Sequence, residues 1–115
     1  MATVIVKEQI SREELKRLTS ADFGNLVKAV VDTAQEIAAI GGEMHADMEV
    51  MLTEQEHSRR ENTWGVNLYL DLAGDDFLEF DSMINLKPAY GNRSRGVENP
   101  EVREKIRAVV NKLLK

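Results

Sequence analysis

Leu26-Val27-Lys28-Ala29-Val30-Val31-Asp32-Thr33-Ala34-Gln35-Glu36-Ile37-Ala38-Ala39-Ile40-Gly41-Gly42 is the stretch on whose periodicity the fold turns. From Ala21 onward the apolar positions Phe23, Leu26, Val27, Val30, Val31, Ala34, Ile37 and Ala38 recur at helical spacing, which predicts one amphipathic helix facing a core. Gly41-Gly42 then stops it, because glycine adopts left-handed backbone that other residues resist. Beyond the glycines the period becomes two. Met44, Ala46, Met48, Val50 and Leu52 alternate with His45, Asp47, Glu49 and Met51, the pattern of a strand with one buried face.

On the C-terminal side, residues 53–62 are polar and fit a hairpin connection. A second strand sets Trp64, Val66, Leu68, Leu70 and Leu72 against Asn67, Tyr69 and Asp71. After the turn Ala73-Gly74-Asp75-Asp76, a third strand runs from Phe77 to Leu86 and ends before Pro88, which has no amide to donate to a ladder. Asn99-Pro100 opens a last helix whose stripe is Val102, Ile106, Val109, Val110 and Leu113. On the N-terminal side, Thr3–Val6 reads as a first strand, and Ser11 with Glu14 forms a capping box for a helix to about Leu18. The expected architecture is a single α+β domain over residues 1–115, ordered β-α-α-β-β-β-α. It has two layers, with an antiparallel sheet covered on one face by helices.

The chain has 115 residues, 43% of them hydrophobic and 30% charged, enough to bury one core without staples. No apolar run approaches a bilayer span, and the first residues carry no secretory signal. With no cysteine, disulfides and thiolate chemistry are excluded, and the cytoplasm is the expected compartment. Net charge is −5, split into −10 over residues 1–86 and +5 over residues 87–115. The acidic body argues against RNA as a partner, while the basic C-terminal quarter can hold a local anion or cover the acidic body.

Three strands with the expected faces bring His45, Asp47, Glu49, Asn67, Tyr69, Asp71, Glu79, Asp81 and Asn85 to one open surface. Residues 43–86 hold 11 acidic residues and only Arg59 and Arg60 as cations, so that face calls for a metal, a basic partner or arginines from elsewhere. Asp47, Glu79 and Asp81 are candidate ligands for a divalent cation such as Mg or Mn. His45 is the candidate acid or base, with Asp81 or Asp47 to hold its proton. Asn67, Tyr69 and Asn85 are candidate ligand contacts. Arg93 and Arg95, in the glycine-flanked loop Gly91–Gly96, are a candidate anion clamp or fold back onto Asp81 or Glu79 as internal ion pairs. His57 reads as a solvated loop residue and Trp64 as core. No phosphate loop, dinucleotide fingerprint, nucleophile elbow or HExxH motif occurs.

The segments Ile40-Gly-Gly-Glu-Met-His-Ala-Asp47, Trp64-Gly-Val-Asn-Leu-Tyr69, Glu79-Phe-Asp-Ser-Met-Ile-Asn85 and Gly91-Asn-Arg-Ser-Arg-Gly-Val97 resemble those of a family of small bacterial and archaeal domains of unknown function. That resemblance implies a one-domain protein of this size and brings no reaction with it. The expected element order also looks like that of small ribosome-dependent ribonuclease toxins, although those are basic proteins. The expected function is a binding or regulatory module for a small anionic ligand or a partner protein. The alternatives are a metal-assisted or acid–base enzyme on an anionic substrate and a toxin-like ribonuclease.

Overall fold

In the computed structural model, which describes residues 3–19 and 26–115, the stretch at 26–40 is a β-hairpin and not a helix. Strand β1 (Val4–Val6) and helix α1 (Arg12–Thr19) precede it, and the hairpin is β2 (Leu26–Asp32) with β3 (Ile37–Ile40). Helix α2 (His45–Glu56), strands β4 (Thr63–Tyr69) and β5 (Leu78–Glu79), and helix α3 (Pro100–Leu113) follow, with single 3-10 turns between them. The expected helix start at Ala21 and its position Phe23 lie outside the described residues.

The hairpin imitated a helix because it is buried on both faces. Val27, Ala29 and Val31 pack into one core while Val30 and Ala39 pack into another. Strands covered twice read as continuous apolar runs, and such runs fill the i, i+3 and i+4 positions by default. Asp32 makes the turn. Its Oδ1 accepts from the amides of Ala34 (2.9 Å) and Gln35 (3.0 Å), and Oδ2 accepts from Ser58 Oγ (2.6 Å) and Gln35 Nε2 (2.9 Å). Glu36 completes the reversal in left-handed backbone at φ 57°.

The expected strand at 44–52 is the helix α2. His45, Met48 and Leu52 are its buried residues, spaced three and four apart, while Met44 and Val50 stay exposed. Apolar residues on both faces of this helix produced the false alternation. The helix takes in residues 53–56 of the expected hairpin connection and stops at His57, whose backbone is left-handed (φ 59°). The expected third strand shrinks to Leu78–Glu79. The backbone then leaves the sheet, with Ser82 N donating to Arg95 O (2.9 Å) and Ser82 Oγ accepting from Ile84 N (3.3 Å). The first strand, first helix, fourth strand and last helix lie where the sequence places them.

The sheet is antiparallel throughout, in the order β1-β3-β2-β4-β5. Since β1 and β2 each run opposite to β3, they are parallel to each other with β3 between them. By the same reasoning β3 and β4 are parallel with β2 between them. The chain thus makes two interleaved crossovers, β1-α1-β2 and β3-α2-β4, advancing the same way across the sheet on strands of opposite direction. Crossovers of one hand must then place their helices on opposite faces. The packing agrees. Leu15 of α1 and Ile106, Val109, Val110 and Leu113 of α3 join Val27, Val31, Val66 and Leu68 on one face. Met48 and Leu52 of α2 join Val30, Ile37, Ala39 and Ile84 on the other. The α+β class stands, but three layers replace the expected two, and both faces of the sheet are covered.

Replacing Asp32 by alanine leaves two turn amides and the buried Ser58 hydroxyl without their acceptor, while Gln35 Nε2 keeps the Glu56 carbonyl (2.8 Å). The expected loss is about 3 kcal/mol, read as a lower urea midpoint at unchanged slope.

Candidate functional site

Helix α2 begins after a four-residue link from the end of β3, so its first turn lies over one end of the sheet. Its N-cap is Met44, in extended backbone (φ −129°, ψ 132°), and no side chain caps the first amides. His45 is the first helical residue. It is buried beneath the helix start, with Nε2 2.8 Å from the carbonyl of Val66. That bond makes Nε2 the protonated nitrogen and leaves Nδ1 as the basic one. Burial pulls the imidazole pKa below its ordinary value, and Lys28 and Arg95 add to the shift. The Val66 carbonyl and Asp81 oppose it.

Such close packing needs Gly65 in β4. A Cβ there would lie 2.5 Å from Ser82 Oγ and 3.1 Å from His45 Cδ2. Beside this contact opens a cleft of about 250 Å³. Lys28 from β2, Asn67 from β4, Asp81 and Arg95 form its polar wall, and Met44, Met83 and Ile84 its apolar one. Met44 and Met83 are 58% and 60% exposed, flexible thioethers at the mouth.

The sequence-predicted residues divide. His45, Asn67, Asp81 and Arg95 line the cleft together. Arg95 Nε holds Asp81 Oδ1 at 2.8 Å, one of the internal pairs foreseen from the sequence, although both partners are exposed enough for the pair to add little stability. Glu79 lies on β5 and accepts from Asn67 Nδ2 (2.8 Å) and the Tyr69 hydroxyl (3.2 Å). Asn85 is wholly buried with its amide engaged: Oδ1 accepts from Gly65 N (2.8 Å), and Nδ2 donates to Gly65 O (3.0 Å) and Arg95 O (2.9 Å). Arg93 is exposed, and its backbone amide donates to Glu98 (2.8 Å), so the two arginines do not converge as one clamp at the cleft. Asp47 lies on the exposed side of α2. Among the described residues no three His, Asp or Glu side chains are placed to hold a metal ion, so Asp47, Glu79 and Asp81 do not assemble as a cation site.

Sequence reasoning missed Lys28. Its signal was available, as the one cation inside the apolar run Leu26–Val31. Among the described residues it has no ion-pair partner, and it stands directly across from Asn67 on the neighbouring strand. Asn67 is only 8% exposed, and its Oδ1 is the one buried side-chain polar atom among the described residues without a hydrogen-bond partner.

A second buried cation lies elsewhere. Lys87, 3% exposed, donates to the carbonyls of Arg60 and Thr63 and sits 3.9 Å above the Trp64 ring. Burial pushes its pKa down to about 8.

An α+β domain with, among the described residues, three helices, a five-stranded antiparallel sheet and a polar cleft at the start of one crossover helix is the class these observations define. The chain belongs to the family described as protein of unknown function (DUF5674), whose sequence pattern it matches over residues 4–113. No curated protein and no solved structure matches the chain.

Two measurements check this chemistry. Because the His45 pKa is lower in the folded chain than in the unfolded one, the unfolded chain takes up the proton first as pH falls below about 6.5, and stability drops. His45→Gln can still donate to Val66 but cannot titrate. The wild type is expected to lose more of its urea midpoint between pH 7 and 5 than the variant, and equal losses contradict the assignment. Trp64 is the single tryptophan, so its emission reports Lys87. A step with a midpoint near pH 8 is expected, absent in Lys87→Met.

Proposed function

We propose that the protein is a binding module that holds a small anionic ligand in the cleft at the start of α2. The observation that carries this reading is the uncapped first turn of α2 opening beside a lysine that has no ion-pair partner among the described residues. Free helix amides and the positive end of the helix dipole favour an anion. Lys28 supplies a full charge beside them, and Arg95 a second at the rim, tempered by Asp81. Glu43 and Asp47 reduce the field, so the site suits a single carboxylate or phosphate group rather than a polyanion.

An acid–base enzyme acting on the same anion is the second reading, and His45 favours it. Its Nε2 proton is committed to Val66 and burial keeps the ring neutral, so Nδ1 is a base available near neutral pH. Ribonuclease activity is not proposed. Its likeness rested on an element order that the structure does not have, and the chain is acidic.

The test uses inorganic phosphate and acetate against chloride at constant ionic strength, followed by thermal unfolding. An anion at about ten times its dissociation constant raises the midpoint by roughly 5 °C or more in a domain of this size. Lys28→Ala abolishes the response. Met44→Ser gives α2 its own capping oxygen, so the variant is expected to be more stable by about 1 kcal/mol and yet to bind the anion less well. A phosphate and acetate response no larger than that to chloride overturns the reading.

A further inference from the structure

A second cleft, of about 220 Å³, opens on the face of the sheet that α1 and α3 cover, away from α2. Arg12 from α1 meets Arg107 and Asn111 from α3 there, above the buried ring of Phe77. Arg12 is held in place. Its guanidinium carbon lies 4.0 Å from the Phe77 ring centroid, and Nη1 donates to the carbonyls of Leu70 (3.3 Å) and Leu72 (2.8 Å). Stacking and two hydrogen bonds fix the plane of the group, so little freedom is left for a ligand to remove.

Those bonds use two of the five guanidinium N–H groups. The Nε and Nη2 edge, which forks onto two oxygens of an oxyanion, has no acceptor among the described residues, and Arg12 has no ion-pair partner among them. Arg107 is less firmly engaged. Its Nη1 takes Glu104 Oε1 at 2.8 Å, an exposed pair that holds little, and Glu104 does not line the cleft. Arg107 is therefore free to exchange that carboxylate for an anion in the cleft. Asn111 lies four residues further on, on the same face of α3. Asp75 is the single carboxylate of the lining and pairs with neither arginine. Two guanidinium charges against one carboxylate in a confined polar space attract an anion.

We infer that this cleft is a second ligand site, which takes the phosphoryl group of free phosphate or of a phosphate monoester. The forked edge of Arg12 meets two phosphoryl oxygens, and Arg107 with the Asn111 amide meets the third. A carboxylate offers only two oxygens and leaves one of these donors idle. The site lies across the sheet from the α2 cleft and does not depend on the anion reading made there.

The experiment is an NMR titration of the isotope-labelled full chain with inorganic phosphate, methyl phosphate and acetate at constant ionic strength. It follows the arginine Nε–Hε signals and the α2 amides together. Phosphate is expected to shift Arg12 and Arg107 saturably with one dissociation constant, while the exposed Arg93 follows the chloride control. Acetate binds this cleft at least about tenfold more weakly, the loss of one charge-assisted hydrogen bond. Asn111→Ala sets a better helix former at an exposed position, so the fold is kept and phosphate weakens by on the order of tenfold. Asp75→Asn removes the opposing charge and tightens phosphate. Methyl phosphate binding as well as phosphate makes the ligand a monoester, and weaker binding makes it free phosphate. Shifts of Arg12 and Arg107 no larger than that of Arg93, acetate equal to phosphate, or an unchanged constant in Asn111→Ala overturn the inference. The α2 amides report the other cleft in the same samples, so the two sites stand or fall separately.

Discussion

The side chain of Asn85 is the constraint on which the site depends. A carboxamide presents one N–H and its C=O side by side along one edge, and Asn85 uses both on the backbone of Gly65. It thereby continues the sheet beyond the end of β5, where no strand remains to pair with β4. Its second N–H reaches Arg95 O, and its own carbonyl accepts from Asn92 Nδ2 at 2.8 Å. Asn92 in turn gathers the carbonyls of Ser94 and Gly96 and the amide of Glu98. Two asparagines thus fix the turn bearing Ser82 and Met83, and the loop bearing Arg95, against one glycine of β4. Buried networks of this kind are stable only when every member is satisfied, and here each is. The cleft wall is rigid on this side because it is built from backbone held by amides.

Elsewhere around the cleft the polar groups are left unmatched. The start of α2 has no cap, Lys28 has no counter-ion among the described residues, and Asn67 Oδ1 has no donor. Each departure from local satisfaction has a cost, and a folded domain tolerates few of them. Their coincidence within one cleft is the physical ground for placing a ligand there. The crossover topology explains why they meet. A helix that leaves the end of β3 and returns to β4 must start over β2, which lies between those strands, and β2 carries Lys28.

The sequence made some of this legible. The last helix was readable because Asn99, Pro100 and a clean apolar stripe all agree, and Asn99 does cap Glu101 N. Strand β4 was readable because it alternates across its whole length. The central hairpin was not, because a strand buried on both faces loses the alternation that identifies it, and Asp32 offered no glycine to mark its turn. Helix α2 was misread because it spreads Met, Ala and Val around its circumference while burying only His45, Met48 and Leu52. Within the site, His45, Asn67, Asp81 and Arg95 were marked as polar residues standing off the apolar stripes, and the misassigned elements did not undo that. Asn85 was marked as well, but its role lies in joining backbone. Lys28 was passed over because a lysine in an apparent helix needs no explanation, whereas one on a doubly covered sheet does.

The interleaving of the two crossovers also bears on the order in which the molecule assembles. Strand β3 lies between β1 and β2, and β2 lies between β3 and β4, so neither crossover closes onto anything until β2 and β3 are paired. That pairing closes a loop of four residues, Thr33–Glu36, whereas β1 reaches β3 and β2 reaches β4 only across some thirty residues each. Loop closure entropy rises with length, and contacts distant in sequence form later and more slowly. The hairpin is therefore the seed, with the outer strands added to its two edges and the helices α1, α2 and α3 to its faces. A turn built on one aspartate thus governs how fast the chain finds its fold as well as how firmly it keeps it.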